Sequence, residues 1–233
     1  EGIAYDAERG LYVAVNAGRP QDVVPNGGYV SLVSPDGTAH TLKWIGVNRN
    51  GLTLNHPLGS HIANGMLYVA DIDVIRWFDM KTGEPRGSVP VQGATRINDI
   101  EVAKDGTIYA TQTATPNSGV YRISPQGQTT VFASGAPINL PNGITFDARG
   151  NIVVVNIGSA DVLTFSPDGK LLATEQSTHA GNDGIVVLAD GTKYVSSVRM
   201  GTIARIRPGQ KAEVVATGIP TPASMDYDPK RNR

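Results

Sequence analysis

Two carboxylates and two side-chain amides, Glu1, Asp183, Asn98 and Asn142, stand at the same place in copies of one short segment, Glu1-Gly2-Ile3-Ala4-Tyr5-Asp6. The other copies begin at Leu58 and Ala223. An oxygen set with no thiol and no imidazole suits a hard cation: Ca²⁺ takes six to eight carboxylate, amide and water oxygens, while Mg²⁺ asks for tighter octahedral geometry and ranks second. Two carboxylates held near each other on a partly dry axis also ionise together more cheaply with a divalent ion between them. The plainer reading stays open, because Asn-Gly and Asp-Gly pairs are ordinary turn signals and polar residues at strand starts often cap the backbone.

Positioning such a set is the work of the repeat. The six starts lie 57, 40, 44, 41 and 40 residues apart, and only the first interval is lengthened, by loop-like sequence. A turn glycine follows each of the first five (Gly10, Gly65, Gly106, Gly150, Gly191), then a β-rich run such as Leu11 to Val15 or Ile152 to Val155. A third run closes on Ser-Pro-Asp-Gly at Ser34 to Gly37 and at Ser166 to Gly169. Three or four short strands per unit of about 40 residues is the period of a propeller blade. The expectation is an all-β, six-bladed β-propeller forming a single domain over residues 1–233, with its six anchors ringed at one mouth of the channel. Glycine after Glu1, Leu58, Asn142 and Asp183 fits a strand that runs close to the axis. The sixth copy stops after its first turn, so an incomplete sixth blade and a chain trimmed at both ends are expected.

Composition agrees. With 27 Gly and 15 Pro in 233 residues, turn formers exceed the usual share of about 12 %, and no helical apolar period is sustained. A net charge of −1 with scattered Lys and Arg argues against nucleic acid, and Lys230 to Arg233 reads as a solvated turn. No apolar run approaches a membrane span and no leader opens the chain. A soluble protein is expected, secreted or periplasmic if a leader was trimmed, with compartment and oligomeric state open. Zero cysteines exclude disulfides and thiolate sites. Serine-elbow, phosphate-loop and His-Glu-x-x-His motifs are absent from the sequence.

Arg96-Ile97-Asn98-Asp99, Leu140-Pro141-Asn142-Gly143-Ile144, Asn182-Asp183-Gly184-Ile185 and the opening Glu1-Gly2-Ile3 resemble the regucalcin and gluconolactonase family, also called senescence marker protein, and more distantly the paraoxonases. The resemblance implies a six-bladed propeller with a divalent cation, commonly calcium, on its axis, and hydrolysis of lactones. It implies Glu1, Asn142 and Asp183 as metal ligands, Asn98 as a fourth oxygen toward metal, water or substrate, and Arg96 as a substrate contact. Asp183 would take the proton of an attacking water and pass it to the leaving hydroxyl. A non-catalytic propeller stabilised by the same cation, recognising a small ligand or a protein on its top face, is the alternative.

Around the mouth, His56 and His179 are candidate substrate or base residues and Arg199 a candidate substrate contact, each with a bland reading as a surface or capping residue. Asn16, Gln112, Thr113, Asn139 and Asn156 fall on loops of the same face, and the long stretches Asn16 to Gly28 and Gly46 to Pro57 read as binding lids. His61, three residues past Leu58, is expected to turn away from the axis by strand alternation. Tyr12, Tyr68, Tyr109 and Tyr194 read as packing residues.

Overall fold

The computed structural model describes residues 2–18, 25–46 and 54–232. Five antiparallel meanders of four strands follow one another along the chain. The first blade is β1 (Ile3–Asp6), β2 (Leu11–Asn16), β3 (Tyr29–Val33) and β4 (Ala39–Ile45), and the second is β5 (Pro57–Ala63), β6 (Met66–Asp71), β7 (Val74–Asp79) and β8 (Pro85–Pro90). The third is β9 (Ile97–Val102), β10 (Ile108–Gln112), β11 (Gly119–Ile123) and β12 (Thr129–Ser134). The fourth is β13 (Pro141–Phe146), β14 (Ile152–Asn156), β15 (Asp161–Phe165) and β16 (Leu171–Gln176), and the fifth is β17 (Asn182–Val187), β18 (Lys193–Ser197), β19 (Thr202–Ile206) and β20 (Glu213–Ala216).

Each meander is closed by turn chemistry already visible in the residues. At Ser34 to Gly37 and Ser166 to Gly169 the glycine N–H donates to the serine carbonyl at 2.9 Å, with φ of 86° and 89° at Gly37 and Gly169, a conformation that favours glycine. Strands β1, β5, β9, β13 and β17 stand innermost, and successive ones pack against each other. In the third and fourth blades the strands next to them are the driest: every residue of β10 and β14 is buried. The outermost strands β4, β8, β12, β16 and β20 face solvent over most of their length. Apolar side chains fill the gaps between blades, as where Val13, Val15, Val30 and Leu32 meet Leu67, Val69 and Phe78. Tyr109, at 5.1 Å from Phe132 and 5.8 Å from Phe146 between ring centroids, is a packing residue as expected.

The structure holds five blades among the described residues, where six were expected with the last incomplete. The sixth copy, from Ala223, contains no strand, yet it lies where a sixth inner strand would run. Ser196 Oγ donates to the Ala223 carbonyl at 2.7 Å, and Asp226 Oδ2 accepts the Tyr5 N–H at 2.6 Å. Lys230 Nζ reaches the Ala7 carbonyl at 2.5 Å and Arg231 pairs with Asp228 at 2.7 Å, so the basic run is a turn docked on the first blade. Side-chain contacts thereby join the fifth blade to the first without a β-ladder. Among the described residues no helix is long and apolar enough to cross a membrane.

Candidate functional site

The anchor residues owe their placement to one local irregularity repeated four times. In β5 the residues Pro57 and Ser60 pair with Asp71 and Val69, so three steps on one strand face two on its neighbour. The same happens at Ile97 and Ile100 against Gln112 and Ala110, at Pro141 and Ile144 against Asn156 and Val154, and at Asn182 and Ile185 against Ser197 and Val195. Each is a one-residue β-bulge, a device that bends a strand and re-aims side chains. The bulged pairs are Leu58-Gly59, Asn98-Asp99, Asn142-Gly143 and Asp183-Gly184.

These bulges draw the inner strands into contact. A Cβ at Gly2 would lie 2.5 Å from the Leu58 carbonyl oxygen, at Gly59 2.6 Å from that of Asn98, and at Gly184 2.5 Å from that of Ala223. At Gly143 it would collide with the Asp183 carbonyl. Glycine is thus required here by the next blade's backbone, and not by crowding on the axis as the residue pattern suggests.

Asn98, Asn142 and Asp183 converge as expected, with Gly2, Leu58, Gly59, Asp99, Gly184 and Ser224, around an axial cavity of about 20 Å³. That is room for about one water-sized occupant. Asn142 is buried, 3 % exposed, and its Nδ2 donates to Asp183 Oδ2 at 3.2 Å. Glu1 lies outside the described residues. Among those described, no three His, Cys, Asp or Glu side chains form a metal cluster, and two of the converging donors are amides. One carboxylate beside two amides offers side-chain oxygens, the donor type that hard cations take.

Sequence reasoning passed over Asp99. It lines the axial cavity and also the larger chamber beyond it. Its Oδ1 accepts the Ile100 N–H at 2.9 Å and its Oδ2 the Ile144 N–H at 3.2 Å, so it ties the third blade to the fourth where other copies rely on glycine contact. Burial pushes its carboxyl up to about 7 against those N–H groups. The available signal was an acidic residue in a position that four copies fill with glycine.

The sequence pattern of the SMP-30/gluconolactonase/LRE-like region matches residues 1–227. The chain belongs to that family. No curated protein matches it in sequence. Among solved structures, one assigned as a gluconolactonase superposes with a TM-score of 0.71 at 16 % identity, covering 99 % of this chain and 82 % of its own. Virginiamycin B lyase from Staphylococcus aureus gives 0.57 at 19 % identity over 71 % of this chain, and a streptogramin B lyase gives 0.57 at 19 % over 68 %. The chain spans 56 % of the length of the S. aureus lyase. At these identities the likeness is one of fold.

The family resemblance and the loop positions also pointed to rim residues, which stand apart from the axial cavity. Arg96 is exposed, and its N–H donates to Gln112 Oε1 at 2.9 Å. His56 is 4 % exposed, its N–H bonds Asp71 at 2.8 Å, and its Nδ1 is buried without a hydrogen-bond partner. His179 is half-buried, with Nδ1 3.0 Å from Thr178 Oγ1. Arg199 is exposed and its stem packs over Gly181, where a Cβ would lie 2.7 Å from Arg199 Cγ. None of the four lines the axial cavity. Gln112 and Asn156, expected at the mouth, are fully buried. With Asp71 they accept N–H groups of the loops entering β9, β13 and β5, so they fasten loops. The long lid stretches fall partly on residues 19–24 and 47–53, outside the described residues.

His61 corrects the alternation argument. The bulge at Leu58-Gly59 shifts the pleat by one, and His61 faces the channel, with Nδ1 3.3 Å from Glu101 Oε2. Both line a chamber of about 320 Å³ with Ser60, Asp99, Thr145 and Asp226. Burial works against charge on His61, but the carboxylates of Glu101, Asp99 and Asp226 outweigh it and raise its pKa above the ordinary 6.5. Burial likewise raises Glu101, with His61 opposing, and raises Asp226 against the N–H groups of Tyr5 and Tyr227 and the charge of His61.

Proposed function

We propose that this family member hydrolyses a lactone or related cyclic ester with a divalent cation, calcium first, held at the axial cavity. The observation that carries the reading is the convergence of Asn98, Asn142 and Asp183 on a cavity of about 20 Å³ in a chain of the SMP-30/gluconolactonase/LRE-like family. Asn142, Asp183 and Asn98 would hold the ion, joined by Glu1 on the family pattern. When bound, the cation supplies Lewis-acid polarisation of the carbonyl and lowers the pKa of a water.

The chain's own residues do the rest. Asp183 accepts the proton of the attacking water and returns it to the alkoxide that leaves as the ring opens. Asn142, donating to Asp183 Oδ2, fixes that carboxylate so that it does not swing. Asn98 contributes an amide beside the reacting carbonyl. Arg96, exposed at the entry to β9, offers paired donors to a substrate oxygen. The identity of the lactone is set by the loops of this face and by the apolar side of the ring at Leu58.

The test is a pH-indicator assay on a panel of γ- and δ-lactones with added calcium and with chelator. Turnover that needs the cation and vanishes in Asp183→Ala supports the proposal. Turnover indifferent to both overturns it.

A further inference from the structure

Each bulge faces a single residue on the neighbouring strand, and its identity differs from blade to blade. Opposite Leu58-Gly59 stands Ala70, and opposite Asn142-Gly143 stands Val155. Opposite Asn98-Asp99 stands Thr111, and opposite Asp183-Gly184 stands Ser196. Hydroxyls therefore occur in the two blades whose anchors, Asn98 and Asp183, are assigned above to water, substrate and proton transfer.

Both hydroxyls make the same two bonds, and Thr111 Oγ1 also lies 3.3 Å from the Asp99 carbonyl oxygen, a longer contact than the one to Asn142. Thr111 Oγ1 accepts the Asp99 N–H at 3.0 Å and donates to the Asn142 carbonyl at 2.5 Å. Ser196 Oγ accepts the Gly184 N–H at 2.8 Å and donates to the Ala223 carbonyl at 2.7 Å. Thr111 and Ser196 are fully buried. A bulge takes one N–H out of the ladder, and a buried N–H needs a partner. The hydroxyl supplies it and spends its own proton on the anchor of the next blade. The alternative is seen at Val155, whose Cγ2 would lie 3.2 Å from a Cβ at Gly143, so apolar packing alone fills that place.

We propose that Thr111 and Ser196 are positioning residues for the axial site. Thr111 locks the bulge carrying Asn98 to the backbone of Asn142, and Ser196 locks the bulge carrying Asp183 to the segment that closes the ring. The effect on metal and substrate rests on the function proposed above; the locking itself does not. Groups that orient metal ligands from behind typically change affinity by about 10- to 100-fold when lost.

Thr111→Val keeps the shape and removes the hydroxyl, and Thr111→Ser restores it. Two readouts separate the claims: calorimetric calcium affinity, and side-chain amide NMR signals of Asn98 and Asn142 in metal-free protein. Thr111→Val is expected to shift or broaden both amide signals and to weaken calcium binding about tenfold or more, while Thr111→Ser returns both toward wild type. Unmoved amide signals in Thr111→Val overturn the proposal whatever calcium does. Moved signals restored by Thr111→Ser, in a protein that binds no calcium, uphold the locking role and refute the metal site. Should Thr111→Val not fold, Ser196→Ala serves instead: the Asn142 amide, bonded to Asp183, must shift, and its staying put refutes the idea.

Discussion

The channel carries two rings on the same inner segments. The first is made by the anchors, of which Leu58, Asn98 and Asp183 are three, and the second by residues three positions further on, including His61, Glu101, Thr145 and Asp226. Both line cavities on the axis, yet their chemistry differs. The anchor ring offers amides and a carboxylate around space for about one small occupant. The second ring brings its own base, His61, against Glu101 at 3.3 Å, in a chamber of about 320 Å³. Repetition of a blade supplies the positions; the residue types placed on them separate an oxygen site suited to a cation from a self-paired acid and base.

The largest effect that would break this comparison is at the anchors. Asp183→Ala is expected to cut lactone turnover by roughly 10²- to 10⁴-fold, as loss of a positioned acid or base does, with Asn98→Ala also strongly impaired, while His61→Gln keeps turnover close to wild type. Steady-state kinetics check it, and equal losses at both rings would erase the distinction. Next in size is Gly143→Ala, whose Cβ meets the Asp183 carbonyl. A rigid backbone obstacle costs about 1–3 kcal/mol, as overpacking does, and chemical denaturation should show it, whereas alanine at the open turn position Gly150 strains only its own φ of 79°. Asp226→Ala removes the acceptor for the Tyr5 N–H and is expected to destabilise the protein by about 1–2 kcal/mol, within the range for a buried group left unpaired.

The smallest effect is a slope. The folded pKa of His61 lies above 6.5, so its contribution is full below that value and is lost as pH rises through the folded pKa. Glu101 is also raised, so the fold favours its protonated form and stability again falls with rising pH. Melting temperature should therefore decline with rising pH, through Glu101 from its ordinary 4.5 and through His61 from 6.5, and decline less in Glu101→Gln, which removes both the buried carboxylate and the charge that lifts His61. Identical slopes in the two proteins would show that the second ring does not titrate as a pair.

The blade period was legible because turn glycines and anchors recur at fixed offsets, and three of the four oxygen positions align by residue type alone and converge on the axial cavity, while Glu1 falls outside the described residues. What escaped was everything that depends on a bulge. Counting alternate residues through Leu58-Gly59 turned His61 outward, since an extra residue in a strand leaves no mark in residue type. Asp99 drew no reading of its own because its two N–H partners, Ile100 and Ile144, lie on different blades. Gln112 and Asn156 read as rim residues since they end strands near the mouth; their burial follows from loops folding back over them. The sixth copy resembles the others in sequence through Asp228 yet forms no strand among the described residues, because here it meets its neighbours through side chains.

The axial cation is the central claim, and thermal unfolding of metal-stripped protein with and without saturating calcium tests it most directly. Selective binding to the folded state raises the melting temperature, so the account predicts a calcium-dependent rise in the wild type that is lost in Asp183→Ala and kept in His61→Gln. A melting temperature that ignores calcium, or a rise that survives Asp183→Ala unchanged, would contradict it.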